Sequence, residues 1–290
     1  MNLAVALRLG RVSNLPTVWS NVLTGAALAG AASADARLLI LLVAASLFYV
    51  GGMFLNDAFD HAFDARSRPE RPIPAGLVSA AQVHAFGFGM LAGGLALLAW
   101  AGYGYAPLAQ WRPLAGGLAL AAAIVYYNWH HKNNPLSPLM MGLCRMLVYV
   151  TAALAVAALV PARVGIAAVV LLCYLIGLTY AAKKEHLGRL ENAWPLVFLA
   201  VPVIYGVYLA TLQPMVAWPL VLLAAWAAYA VWLLRRRKPG DVPRAVVSLI
   251  AGISVVDAML LAGAGHILFA WLALGAFILT LALQRWITGT

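Results

Sequence analysis

The stretch Asn56-Asp-Ala-Phe-Asp-His-Ala-Phe-Asp64 places an amide and three carboxylates within nine residues, directly after a long apolar run. If this stretch is the helical end of that run, 100° per residue puts Asp60, Asp64 and Asp57 at about 40°, 80° and 100° from Asn56, a single stripe. Neighbouring carboxylates on such a stripe, ~6 Å apart, repel by roughly 3 kcal/mol at an effective dielectric of about 20. The stripe therefore requires protons, arginines or a divalent cation. Carboxylate and amide oxygens are hard donors that select Mg²⁺ or Ca²⁺ over zinc. Mg²⁺ shares its shell with water and substrate phosphates, and the following Arg66, Arg68 and Arg71 are suited to bidentate phosphate contacts. The chemistry expected is a magnesium-bridged phosphate ester, with Asn56, Asp57, Asp60 and Asp64 on the metal. The plain alternative is a solvated loop in which the aspartates pair with those arginines.

These residues need a scaffold, and the composition says which kind. Of 290 residues 64% are hydrophobic and 10% charged, with mean hydropathy +0.91. A soluble chain of this length needs far more polar surface, so the class is a polytopic membrane protein. Continuous apolar runs, without strict alternation, exclude barrel strands. Ten spans are expected, at about 15–33, 38–58, 79–102, 113–129, 137–160, 164–183, 194–212, 215–234, 245–264 and 267–286, each near the ~20 residues a helix needs. The fourth and seventh are short, so nine is the other count. The fold class is an all-α transmembrane bundle forming a single membrane domain, 1–290.

The net charge of +10 does not point to nucleic acid, because the basic residues sit in short connectors between apolar runs. With ten spans, Arg8, Arg11, Arg66, Arg68, Arg71, Lys132, Lys183, Lys184, Arg189, Arg235, Arg236, Arg237, Lys238, Arg244 and Arg285 share one side. Only Arg37, Arg112 and Arg163 fall on the other. This asymmetry places both termini and the acidic stripe in the cytoplasm, most simply at a cell inner membrane. Cys144 and Cys173 lie inside apolar runs and read as small core residues. No cleavable signal peptide is expected, since the first apolar run reads as a span.

Asn56-Asp57-x-x-Asp60-x-x-x-Asp64 at the end of the second span, followed by Arg71-Pro-Ile-Pro-Ala-Gly76, resembles the UbiA superfamily of intramembrane prenyltransferases. Length, helix count and orientation extend the resemblance over most of the chain. It implies an all-helical bundle with a lateral opening to lipid, in which the aspartates hold Mg²⁺ on a prenyl diphosphate. An isoprenyl chain is then expected to pass to an aromatic or lipid-soluble acceptor. Lys132, in Tyr126-Tyr-Asn-Trp-His-His-Lys132, matches a family segment that touches diphosphate, and Asn128 lies on the same face. Tyr180 matches as well. Lys183 and Lys184 stand where most members carry a second acidic motif, so they are expected to neutralise phosphate directly.

Other polar positions carry more open expectations. Arg145, two turns into the fifth span, costs about 2.5–3.5 kcal/mol if unpaired near a helix centre, and a diphosphate or aspartate partner is expected. Asn14 and Asn21 bracket the first span on one face, for a cavity or for interhelical hydrogen bonds. Asp257 is expected to pair with a neighbour such as His266. Tyr126, Tyr127, Tyr174 and Tyr180 are expected to offer π faces to a carbocation. A CDP-alcohol phosphotransferase is disfavoured because its leading Asp-Gly-x-x-Ala-Arg is absent. A non-catalytic binder or transporter would instead spread its acids over several helices at mid-depth.

Overall fold

The computed structural model describes residues 1–105, 110–132, 134–183 and 194–287, and within them every regular element is helical. A short α1 (Leu3–Leu9) leads to α2 (Leu15–Ala29), α3 (Arg37–Phe59) and a short α4 (His61–Ser67). Then come α5 (Ala80–Tyr105), α6 (Arg112–His130), α7 (Ser137–Leu154) and α8 (Ala162–Lys183). A 3₁₀ turn, Trp194–Leu199, opens into α9 (Ala200–Leu212), followed by α10 (Ala217–Arg236), α11 (Asp241–Gly263) and α12 (Ile267–Leu283).

Each of the ten expected spans coincides with one of these helices. Seven segments among the described residues are long and apolar enough to cross a bilayer: α3, α5, α7, α8, the 194–212 segment, 214–236 and α11. The helix α12 is equally apolar but has 17 residues, and α2 has 15. The chain is an integral membrane protein.

The core explains how polar groups are held inside so apolar a chain. Helix α11 is buried without a break from Ala251 to Ala262 and packs against α2, α8, α10 and α12. Helix α2 in turn packs on α7. A Cβ on Gly25 would lie 2.5 Å from the Tyr149 carbonyl oxygen, so only glycine permits this approach. That contact brings the polar residues one turn before Gly25 up to α7. Helices α3 and α5 form the other tight pair.

At the end of the bundle that carries the acids, Phe54 and Ala58 of α3 pack with Val5, Leu9, Val78 and Val83, and Ile73 lies against them. This small cluster anchors the Arg71–Gly76 connector. Ala75 N–H bonds the Arg71 carbonyl at 2.9 Å, Leu77 N–H the Pro72 carbonyl at 3.0 Å, and Gly76 adopts φ 74°. Pro72 and Pro74 limit the backbone, and Gly76 supplies the left-handed turn that other residues rarely adopt. The motif's apolar and turn residues thus form a rigid base for Arg71.

Candidate active site

The acidic stripe faces inward. Asn56, Asp57, Asp60 and Asp64 are all buried, Asp64 to 2% exposure. The helix does not run straight through it: α3 ends at Phe59, Asp60 caps it, and α4 begins at His61. Asp60 N–H still bonds the Asn56 carbonyl at 3.0 Å, and Asp64 N–H bonds Asp60's at 2.9 Å, which keeps the helical spacing and the common face.

Buried carboxylates demand counter-charge, and each finds it. Arg71 Nη1 donates to Asp57 Oδ1 at 3.2 Å and to Asp64 Oδ2 at 2.8 Å. Arg11 Nη2 donates to the same Asp57 oxygen at 3.2 Å and to Asn56 Oδ1 at 3.3 Å. Asp60 turns toward the end of α6, where Lys132 Nζ lies 3.0 Å and His131 Nε2 3.3 Å from its Oδ2. Burial pushes the Asp60 carboxyl upward, but the hydrogen bonds and charges of His131 and Lys132 outweigh it and hold it below the usual carboxylate value. Asn56 Nδ2 donates to Asn128 Oδ1 at 3.1 Å, and Asn128 Nδ2 to the Gly52 carbonyl at 3.0 Å. This chain of amides turns the Asn56 NH₂ toward Asn128 and leaves its single oxygen, Oδ1, for Arg11.

The structure therefore gathers Asn56, Asp57, Asp60, Asp64, Arg71, Asn128 and Lys132. Arg66 is not among them: it sits on the exposed face of α4 and makes no ion pair with a described residue. Tyr180 packs half-buried against the main core near the end of α8. The Lys183 side chain and Lys184 lie outside the described residues. Tyr126 points outward at 45% exposure, Tyr174 is fully buried and donates to the Leu249 carbonyl at 2.9 Å, and Tyr127 stacks on His131 with centroids 5.0 Å apart.

Two partners were not legible as site residues. Arg11 reads as a topology signal, yet its backbone is left-handed (φ 43°, ψ 48°), and this bend turns its side chain onto α3. The Tyr49 hydroxyl donates to its carbonyl at 3.4 Å. His131 is the neighbour of Lys132, and its adjacency was the available signal.

Arg145 meets no aspartate directly. Its Nη1 donates to Asn21 Oδ1 at 2.9 Å, its Nη2 to Thr17 Oγ1 at 3.1 Å, and its Cζ lies 5.4 Å from the Tyr49 ring centroid. Asp257 pairs with Asn21 (2.8 Å) and with the Tyr149 hydroxyl, not with His266. His266 lies beyond the end of α11, in the turn that leads into α12. Asn14 accepts from Gln284 Nε2 at 3.1 Å, so both asparagines of the first span make interhelical bonds.

The donors at the stripe are hard oxygens, which suit a hard divalent cation such as Mg²⁺ or Ca²⁺. Among the described residues no three His, Cys, Asp or Glu side chains converge on one point, so this is no closed protein cage. It fits an ion that takes one or two carboxylates and completes its shell with water and phosphate oxygens.

Residues 18–249 match the model of the UbiA prenyltransferase family. The chain belongs to the UbiA prenyltransferase family. A digeranylgeranylglyceryl phosphate synthase from Methanopyrus kandleri is 32% identical over 130 residues, which cover 45% of this chain and 45% of that relative's length. Another, from Ignicoccus hospitalis, is 35% identical over 122 residues, 42% of this chain and 36% of the relative. The chain thus matches under half the length of these curated relatives. A solved structure concerning digeranylgeranylglyceryl phosphate synthase in membranes superposes with TM-score 0.61 at 20% identity, covering 91% of this chain and 98% of that one. At that identity the likeness shows the UbiA fold.

Proposed function

We propose that this UbiA member transfers an isoprenyl chain from a prenyl diphosphate to a lipid-soluble acceptor within the membrane, with Mg²⁺ as cofactor. The observation that carries this reading is convergence. Polar groups from positions 11, 56–64, 71, 128, 131 and 132 meet at one end of an apolar bundle.

Asn56, Asp57 and Asp60 would hold the ion, with Asp64 tied to Arg71 beside them. Mg²⁺ held by these residues would supply Lewis-acid charge to the leaving diphosphate. Arg11, Arg71 and Lys132 are placed to receive the remaining diphosphate oxygens, and Lys183 and Lys184 are assigned the same role from their sequence position. Their charge favours scission of the C1–O bond. The surrounding apolar helices keep water from the allylic cation until the acceptor attacks. A narrow apolar hollow of about 10 Å³, room for roughly one water, lies between α2, α3, α5, α6 and α7, where Val22, Phe48, Leu98 and Val148 meet. The cationic connectors of this end support a cytoplasmic site.

The test is turnover by the purified chain in nanodiscs, supplied with Mg²⁺, geranylgeranyl diphosphate and a membrane lipid extract. The expected result is pyrophosphate release and a new product whose mass carries the prenyl increment. The relatives' name makes a geranylgeranyl donor and a glyceryl phosphate acceptor the first pair to try. Absence of release with every prenyl length and acceptor would overturn the reading in favour of a binding protein.

A further inference from the structure

Arg11, Arg71 and Lys132 each contact a carboxylate. Arg145 does not. Among the described residues it makes no ion pair, and its hydrogen-bond partners, Asn21 Oδ1 and Thr17 Oγ1, are neutral. A guanidinium two turns inside an apolar helix, without a contacting anion, is costly, and intramembrane charges of this kind serve ligands.

What holds Arg145 in place lies one residue behind it. Asn21 Nδ2 donates to Asp257 Oδ2 at 2.8 Å, the Tyr149 hydroxyl donates to Asp257 Oδ1, and the Ser20 and Ser254 hydroxyls are 2.9 Å apart alongside. Asn21, Tyr149, Ser20, Ser254 and Asp257 are all completely buried. Both Asp257 oxygens accept, one from Asn21 Nδ2 and one from the Tyr149 hydroxyl, so the Asn21 NH₂ faces the acid and its oxygen is left for Arg145. Asp257 thereby sets the position of Arg145 without touching it. Because the acid is a full residue away, the guanidinium is oriented but not capped.

We propose that Arg145, with Thr17 and Asn21, forms an anion seat for a phosphate or carboxylate of a substrate, and that Asp257 and Tyr149 are positioning residues behind it. The proposal rests on the prenyl-transfer reading above and deepens it. Tyr49, against which Arg145 lies, precedes Asp57 by eight residues, roughly 12 Å along α3. The seat is thus on the inner side of the acidic stripe, beside the apolar hollow that Val22 and Val148 help to line. A substrate anion there comes either from the donor's diphosphate or from an acid group on the acceptor.

The experiment measures binding of three probes to the full chain in phosphatidylcholine nanodiscs: geranylgeranyl diphosphate, dioleoyl phosphatidic acid and inorganic pyrophosphate. Arg145→Gln is expected to weaken at least one probe by about tenfold or more, the size of a charged hydrogen bond. Asp257→Asn should weaken the same probe, add nothing in the Arg145→Gln background, and leave Arg145→Lys intermediate between Gln and wild type. A loss confined to geranylgeranyl diphosphate assigns the seat to the donor; one confined to phosphatidic acid assigns it to the acceptor. Binding of all three probes unchanged in Arg145→Gln overturns the seat, as does a wild-type chain that binds none. Should Arg145→Gln not fold, unchanged binding in both Arg145→Lys and Asp257→Asn overturns it. Arg145-dependent binding without turnover would sink the prenyl-transfer reading and leave the seat standing.

Discussion

Asp57 and Asp64, two helical turns apart, accept hydrogen bonds from one and the same nitrogen, Nη1 of Arg71, at 3.2 and 2.8 Å. A single guanidinium thus relieves the repulsion between two buried acids and pins the Arg-Pro-Ile-Pro connector to the end of α3. In the proposed reading, phosphate binding and local stability share this one side chain.

Replacing Arg71 with alanine leaves two buried carboxylates short of a partner, and breaking such pairs costs about 3–5 kcal/mol when fully buried. Arg71 retains 16% side-chain exposure, so solvent screening brings the expected loss to roughly 1–3 kcal/mol. Thermal unfolding in detergent measures it. Asp64→Asn should recover part of the lost melting temperature in the Arg71→Ala background, and additive losses would show that the two residues are not coupled.

In the proposed site, Asp60 at the α3–α4 junction is an acid that would hold Mg²⁺. Asp60→Ala is expected to lower turnover by at least about 10²-fold, the scale for removing one preorganised electrostatic group. Pyrophosphate release at saturating Mg²⁺ is the readout. Near-normal rates in a folded Asp60→Ala variant would remove this residue from the metal assignment.

The same residue gives a pH signature. Its carboxyl is depressed in the folded chain, so the stability it contributes is present above the unfolded value, about 3.9, and is lost as pH falls below that. Asp35, depressed chiefly by its hydrogen bond from Arg37, contributes with the same sign. Melting temperature should therefore drop between pH 5 and pH 3 on general linkage grounds. Asp60→Asn should flatten that drop without abolishing it.

Arg11 reaches Asn56 and Asp57 together. Arg11→Gln should weaken geranylgeranyl diphosphate binding by about 10- to 100-fold if it bonds phosphate. At the left-handed backbone of Arg11, Arg11→Gly lowers the cost of the bend, whereas Arg11→Gln leaves it as it is. Equal binding losses in the two variants would show that the side chain, not the turn, carries the effect.

The helices were legible because each apolar run is long and bounded by connectors rich in Arg, Gly and Pro, and the acidic stripe was legible because helical spacing is a local property. Arg11, His131 and the Asn21–Asp257 pair were not. Arg11 and Asp57 are separated by 46 positions, Asn21 and Asp257 by 236. Such contacts are decided by which helix faces meet, which no single run encodes. The near approach at Gly25 that turns Asn21 toward Arg145 and Asp257 has the sequence signature of any glycine in an apolar helix.

The order in which the acids meet their partners also follows the chain. Arg11 lies ahead of Asp57, Arg71 comes seven positions after Asp64, and His131 and Lys132 arrive only at the end of α6. Synthesis proceeds from the N-terminus. A ribosome therefore delivers the first counter-charge before any of the three aspartates, the second soon after, and the last some seventy residues later. During insertion, Asp60 is the acid that waits longest for neutralisation, and until α6 arrives the nascent hairpin of α3 and α5 holds it without its protein cations.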